Sequence, residues 1–228
     1  AGATRSAEGS GTQLDAVRAA QTRSVCGAPD AGGCLFAVPL DALVGAVDGG
    51  GLVVADVLTG QAFRASVSRS PAGGRKVQLF AGEDAAAPCC SAEPSLLGPH
   101  AAPGSFELYD AGGQRCGIVS PHGEGSFAVL AEGQPQLVID GSGSDWTLRI
   151  SSRDVRSTAT VSRIQDQPGG PERVEIHVLP GLDPVLILVC TLAILLLPGE
   201  GSQGAALTNT TLGATLGATL GATREVRR

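Results

Sequence analysis

The run Val185-Leu-Ile-Leu-Val-Cys-Thr-Leu-Ala-Ile-Leu-Leu-Leu197 constrains this chain more than any other stretch, because it carries no charge and would be apolar around every side of a helix. Such a segment must be buried on all sides, in lipid or inside protein. Asp183-Pro184 ahead of it is the chemistry of a helix start: the carboxylate accepts orphan backbone N–H groups, and proline has no N–H to leave unsatisfied. Thirteen residues at 1.5 Å each span about 20 Å, well short of the roughly 30 Å hydrocarbon layer, and no basic residue flanks the run. A helix at 184–197 enclosed by the rest of the chain is therefore expected, with a single-pass membrane anchor at 185–197 as the lesser alternative.

What precedes the run reads as strands, in short alternating segments separated by glycine turns. Val53, Ala55 and Val57 share one face before Leu58-Thr59-Gly60, and Phe63, Ala65 and Val67 return with Arg64, Ser66 and Ser68 facing away. Phe106 and Leu108 lead into Asp110-Ala-Gly-Gly113, after which Cys116, Ile118 and Val119 continue. Phe127 with Val129, Leu137 with Ile139, Trp146 with Leu148 and Ile150, Val155 through Val161, and Val174 with Ile176 and Val178 complete the series. A mostly β domain of antiparallel meanders over residues 35–198, a sandwich or barrel around the helix, follows. Residues 1–34, rich in Ala, Gly, Ser and Thr, are expected to be a flexible tail, as is 199–228 with its repeated Thr-Leu-Gly-Ala.

A net charge of −6 argues against bulk attraction to nucleic acid, which needs a basic surface to displace counterions. Cys26, Cys34, Cys89, Cys90, Cys116 and Cys190 form no CxxC pair, and with His100, His122 and His177 they give no metal-ligand spacing. Free thiols in a reducing, intracellular compartment are expected, which disfavours glycosylation at Asn209-Thr-Thr211. No nucleophile elbow, Walker loop, HExxH or calcium loop occurs. Asp110 and Glu124, the only pair that invites an acid–base reading, sit beside turn glycines, where carboxylates serve turn geometry. Neither an enzyme nor a cofactor is expected.

What remains is surface chemistry. Arg69, Arg75 and Lys76 flank the turn Ser70-Pro-Ala-Gly-Gly74, and three cations on one loop of an acidic chain suit an anionic lipid head group. Arg149, Arg153 and Arg156 form a second basic set across a strand–turn–strand. Cys89-Cys90 is a candidate for acylation if its loop approaches a membrane.

The order of four stretches resembles the superfamily of tubby C-terminal domains, phospholipid scramblases and LURP-one-related proteins. They are Gly51-Leu-Val-Val-Ala-Asp-Val-Leu-Thr-Gly-Gln-Ala-Phe-Arg64, Phe106-Glu-Leu-Tyr-Asp-Ala-Gly-Gly-Gln-Arg-Cys-Gly-Ile118, Trp146-Thr-Leu-Arg-Ile150 and Val178-Leu-Pro-Gly-Leu-Asp183. The resemblance covers most of 50–198 and implies a closed antiparallel β-barrel of about twelve strands around the helix. The stretch Arg163 to Glu172, where scramblases carry an acidic calcium site, holds only Asp166 and Glu172, too few oxygen ligands for calcium. The resemblance implies a non-enzymatic, cytoplasmic, membrane-associated protein that binds anionic phospholipid membrane peripherally. A soluble protein-interaction scaffold is the alternative.

Overall fold

The computed structural model describes residues 33–47, 49–71, 73–82, 84–95, 102–153 and 158–197. Twelve strands form a closed antiparallel barrel: β1 Cys34–Pro39, β2 Gly51–Asp56, β3 Ala62–Arg69, β4 Arg75–Ala81, β5 Cys90–Pro94, β6 Phe106–Asp110, β7 Arg115–Pro121, β8 Ser126–Ala131, β9 Gln134–Ser142, β10 Thr147–Ser152, β11 Thr158–Gln165 and β12 Glu172–Val178. Each strand from β2 to β12 pairs with its sequence neighbours, and β1 closes the ring between β12 and β2. Helix α1, Leu40–Val47, bridges β1 and β2 at one rim with Leu43 and Ala46 buried. Helix α2, Pro184–Leu196, follows β12.

The barrel closes around α2. Eleven of its thirteen residues are buried, and the helix runs nearest β4 and β5. Inward side chains from all around the wall, among them Phe36, Val54, Leu79, Leu108, Ile139, Ile150, Val161 and Ile176, join Ile187, Leu188 and Leu192 in one core. Phe36 meets Phe63 edge to face at 5.9 Å between ring centres. The helix starts as its sequence demands: Asp183 Oδ1 accepts from the backbone N–H of Val185 at 3.0 Å and of Leu186 at 3.2 Å, and Pro184 occupies the first turn. At its far end Ile194 lies beside the β9–β10 turn, 3.8 Å from where a Cβ on Gly143 would stand. No described helix is long and apolar enough to cross a membrane, and the segment that offered itself as an anchor is the barrel's core.

Several faces differ from the sequence expectation. In β2 it is Leu52, Val54 and Asp56 that point inward, while Val53 and Val57 are exposed. The apolar run occupies both parities, so alternation does not decide, and the inward carboxylate is a paired one. Asp56 Oδ1 accepts from the N–H of Leu35 at 3.2 Å and of Leu58 at 3.0 Å, and Oδ2 from the Thr59 hydroxyl at 2.6 Å. In β7, Val119 is buried and Ile118 faces out, because an irregularity in the β6–β7 pairing at Leu108/Tyr109 shifts the register around Cys116. Trp146 stands in the β9–β10 turn at φ 55°, ahead of β10. Val155, Ser157 and Pro198 lie outside the described residues, as do residues 1–32 and 199–228 of the expected tails, whereas Cys34 already belongs to β1.

Asp56 has a testable consequence for acid stability. Burial pushes its pKa up, but the hydrogen bonds from Thr59, Leu58 and Leu35 outweigh burial and hold it below the ordinary 3.8. A folded-state pKa below the unfolded one stabilises above that unfolded value, and the contribution is lost as pH falls through the folded value. Asp56→Asn should therefore flatten the acid limb of the stability curve below about pH 4. Urea midpoints taken from pH 2.5 to pH 7 check this, and an unchanged acid limb would mean that the carboxylate's charge plays no part.

Candidate functional site

The rim where β3 turns into β4 gathers the first set of cations. β3 ends at Arg69 and β4 begins at Arg75, and the two stand directly opposite each other in the antiparallel register, with Ser68 opposite Lys76. The turn between them is tight: Gly73 donates its N–H to Ser70 O and Ser70 donates to Gly74 O, both at 3.0 Å. Gly74 needs to be glycine on two grounds, a φ of +75° and Pro94 Cγ 3.0 Å from where a Cβ would stand.

Strand parity then divides the three cations. Arg75 shares the inward face with Val77 and Leu79 and lies at the barrel mouth, whereas Lys76 faces outward. The Lys76 ammonium is 3.7 Å from Glu93 Oε1, and Glu93 Oε2 accepts the Ser70 hydroxyl at 2.9 Å. Arg75 Nη1 is shut off from solvent without an acceptor among the described residues, and Arg69 is exposed. Like charges on directly opposed residues are unfavourable, and so is a buried donor left unmet. Both conditions are relieved by an anion.

The rim's other arginines are occupied. Arg163 pairs with Glu172, and Arg173 pairs with Asp166 and, at 2.8 Å, with Glu175. These pairs engage Asp166 and Glu172, both carboxylates of the stretch 163–172.

Of the second basic set, two members can be placed, and they stand apart, one within β10 and one just past its end. Arg149 is exposed on the outer wall between Asp140 and Thr160, and Arg153 is exposed at the opposite rim, its N–H donating to Gln136 O at 3.1 Å. Arg156 lies outside the described residues. Cys90 is 2% exposed and points into the core, and the thiol of half-buried Cys89 donates to Leu79 O at 3.2 Å. Asp110 and Glu124 occupy turns at opposite rims. Asp110 Oδ1 accepts from the N–H groups of Gly112 and Gln114, both at 2.9 Å, in the turn role its neighbours suggested.

Burial also pushes up the thiol pKa of Cys34, Cys116 and Cys190, with Asp56 adding at Cys34 and Asp110 at Cys116. These three remain protonated and weakly nucleophilic at neutral pH. On the wall beside β5, Tyr109 donates to Glu107 Oε2 at 2.6 Å, and that bond, with burial, pushes its hydroxyl up to about 12.

Sequence reasoning missed the separation of Lys76 from the arginines. A strand starting at Arg75 puts residues 75 and 76 on opposite faces, and β4 offered no strict alternation to reveal it, since Leu79 and Phe80 are both buried.

Fold and rim together define a closed β-barrel with a helical core and an arginine pair at its mouth. No protein-family model, no curated protein and no solved structure matches the chain.

Proposed function

We propose that this chain is a non-enzymatic, tubby-like barrel of the scramblase and LURP-one-related kind, which binds anionic phospholipid peripherally at its β3–β4 rim on the cytoplasmic side of a membrane. The observation that carries the reading is the Arg69–Arg75 pair with its unmet Nη1 donor. A phosphate oxygen between the two guanidinium groups would supply that acceptor and remove the repulsion, and Arg is suited to such contacts by its planar fork. Lys76, already paired with Glu93, contributes field more than contact.

The barrel needs no anchor helix for this, since attraction to an anionic surface is worth about 1 kcal/mol per cation close to it. Arg69→Ala/Arg75→Ala should weaken binding to phosphoinositide-containing vesicles about 30-fold, the equivalent of about 2 kcal/mol. Lys76→Ala should have the smaller effect, and the difference between parent and variants should shrink as salt shortens the screening length. Flotation of the full chain with such vesicles at 50 and 300 mM salt reads all of this.

The opposite rim favours a second reading. Val57 and Leu58 are 59% and 63% exposed in the β2–β3 turn, with Leu179 also exposed nearby, and they give a protein-interaction scaffold its contact. A parent protein that does not float with vesicles even at low salt leaves that reading in place of the lipid one.

A further inference from the structure

We infer, resting on the lipid reading of the β3–β4 rim, that α1 is the apolar half of the membrane contact whose polar half is the Arg69–Arg75 pair. Its outer face seats in the interfacial region of an anionic bilayer while the arginines take the phosphates.

α1, Leu40-Asp-Ala-Leu-Val-Gly-Ala-Val47, carries one charge, Asp41, and is otherwise apolar or glycine on every side. A helix apolar all round calls for cover all round. The barrel covers one side. Leu43 and Ala46 are buried, and α1 packs against β1, β2, β3 and β12 and touches the core helix α2, so it lies across one end of the barrel. On the other side Val44 is 43% exposed, and a Cβ on Gly45 would meet nothing within 4 Å. Leu40 and Val47 are half-buried.

Position selects the occupant. α1 takes the chain from Pro39 of β1 to Gly51 of β2, which stands opposite Ser66 of β3. Further along β3, at the same end of the barrel, is Arg69 with Arg75 opposite it. An uncovered apolar face beside two cations, one with an unmet donor, matches a surface that offers phosphate and hydrocarbon side by side, and the bilayer interface is such a surface. Across α1 and the β3–β4 turn the described residues hold one carboxylate, Asp41, whose Oδ1 accepts the Ala42 N–H at 2.9 Å. Asp41 is exposed one turn ahead of Val44 and Gly45, and its charge works against an anionic surface.

Two probes of the full chain test this. Flotation uses phosphatidylcholine vesicles containing phosphatidylinositol bisphosphate, and calorimetry uses inositol hexakisphosphate, which offers phosphates without a bilayer. Val44→Ser should weaken vesicle binding roughly fivefold by losing part of a valine's burial, and leave inositol hexakisphosphate binding unchanged. That loss should persist at high salt, where the loss caused by Arg69→Ala/Arg75→Ala shrinks, because screening acts on charge and not on apolar burial. Gly45→Leu should tighten vesicle binding roughly tenfold. Asp41→Asn should tighten it about fivefold, at low salt only. Leu58→Ser, at the opposite rim, should change neither probe. These side chains lie on the surface, so thermal melts should match the parent, and Gly45→Leu decides the matter if Val44→Ser fails to fold. A parent that takes up neither probe overturns the rim reading and this inference together. A parent that binds both and loses both with Arg69→Ala/Arg75→Ala, while Val44→Ser and Gly45→Leu match it on vesicles at every salt, overturns this inference alone. A parent dimer in sedimentation that Val44→Ser converts to monomer also overturns it, with a second copy as the cover.

Discussion

Leu188→Asp unfolds the domain. Leu188 is completely buried in the middle of α2, surrounded by the inward faces of the barrel strands. An unpaired carboxylate at this fully buried position meets no described cation, and its burial costs several kcal/mol out of a total stability of about 5 to 15. The neutral truncation Leu188→Ala should lose about 2 to 5 kcal/mol by cavity formation alone and keep a cooperative transition at a lower midpoint. Val53→Asp places the same charge on the outer wall, where Val53 is 46% exposed, and should melt within a few degrees of the parent. Circular dichroism melts of the three variants check the series. Equal melts for Leu188→Asp and Val53→Asp would place α2 outside the core.

Gly141→Ala should be the most damaging single methyl in the barrel wall. Gly141 lies in β9 at φ +132°, opposite Leu148 of β10, and a Cβ there would stand 2.2 Å from the Thr147 carbonyl oxygen and 3.1 Å from Leu148 Cα. Both are backbone atoms of a paired strand, so relief means parting β9 from β10. Overpacking and an unfavourable φ together amount to roughly 3 kcal/mol or more. For a chain of this size that lowers the midpoint by roughly 6 to 12 °C. Gly133→Ala isolates the backbone component: φ is +76° but nothing lies within 4 Å, so only about 1 to 2 kcal/mol of left-handed strain is expected. If Gly141→Ala melts no lower than Gly133→Ala, the close approach of β10 to Gly141 is wrong.

The parts of the fold legible in the sequence were those where one physical demand acted alone. The 185–197 run could satisfy burial only as an enclosed helix, and Asp183-Pro184 fixed its start to the residue. Phe63, Ala65 and Val67, or Val174, Ile176 and Val178, alternate cleanly because their partners on the other face are polar. Reading failed where demands competed. In β2 both parities are apolar, and the inward Asp56 is satisfied by two backbone N–H groups and a hydroxyl brought from β1 and the following turn, which no local pattern announces.

β1, α1 and β5 gave no readable period, being short, and β1 is held chiefly by a strand distant in sequence. Cys34–Pro39 pairs along its length with Glu172–Val178, and only two residues register with β2. The rim cations were legible as a group from spacing alone, since a hairpin with Arg at each end of its turn must bring the two together. Their division, with Arg69 and Arg75 facing each other and Lys76 turned to Glu93, needed the register of β3 on β4 and the position of β5.

Everything proposed for the surface presupposes that α2 fills the barrel rather than seeking lipid. Hydrogen exchange of the α2 backbone amides, in the full chain without detergent, tests this most directly. The account predicts that the amides of Leu188 to Leu196, on a helix enclosed by twelve strands, are among the slowest to exchange in the molecule, opening only with global unfolding. Exchange of those amides within minutes, or protection gained only on adding detergent or vesicles, would contradict it.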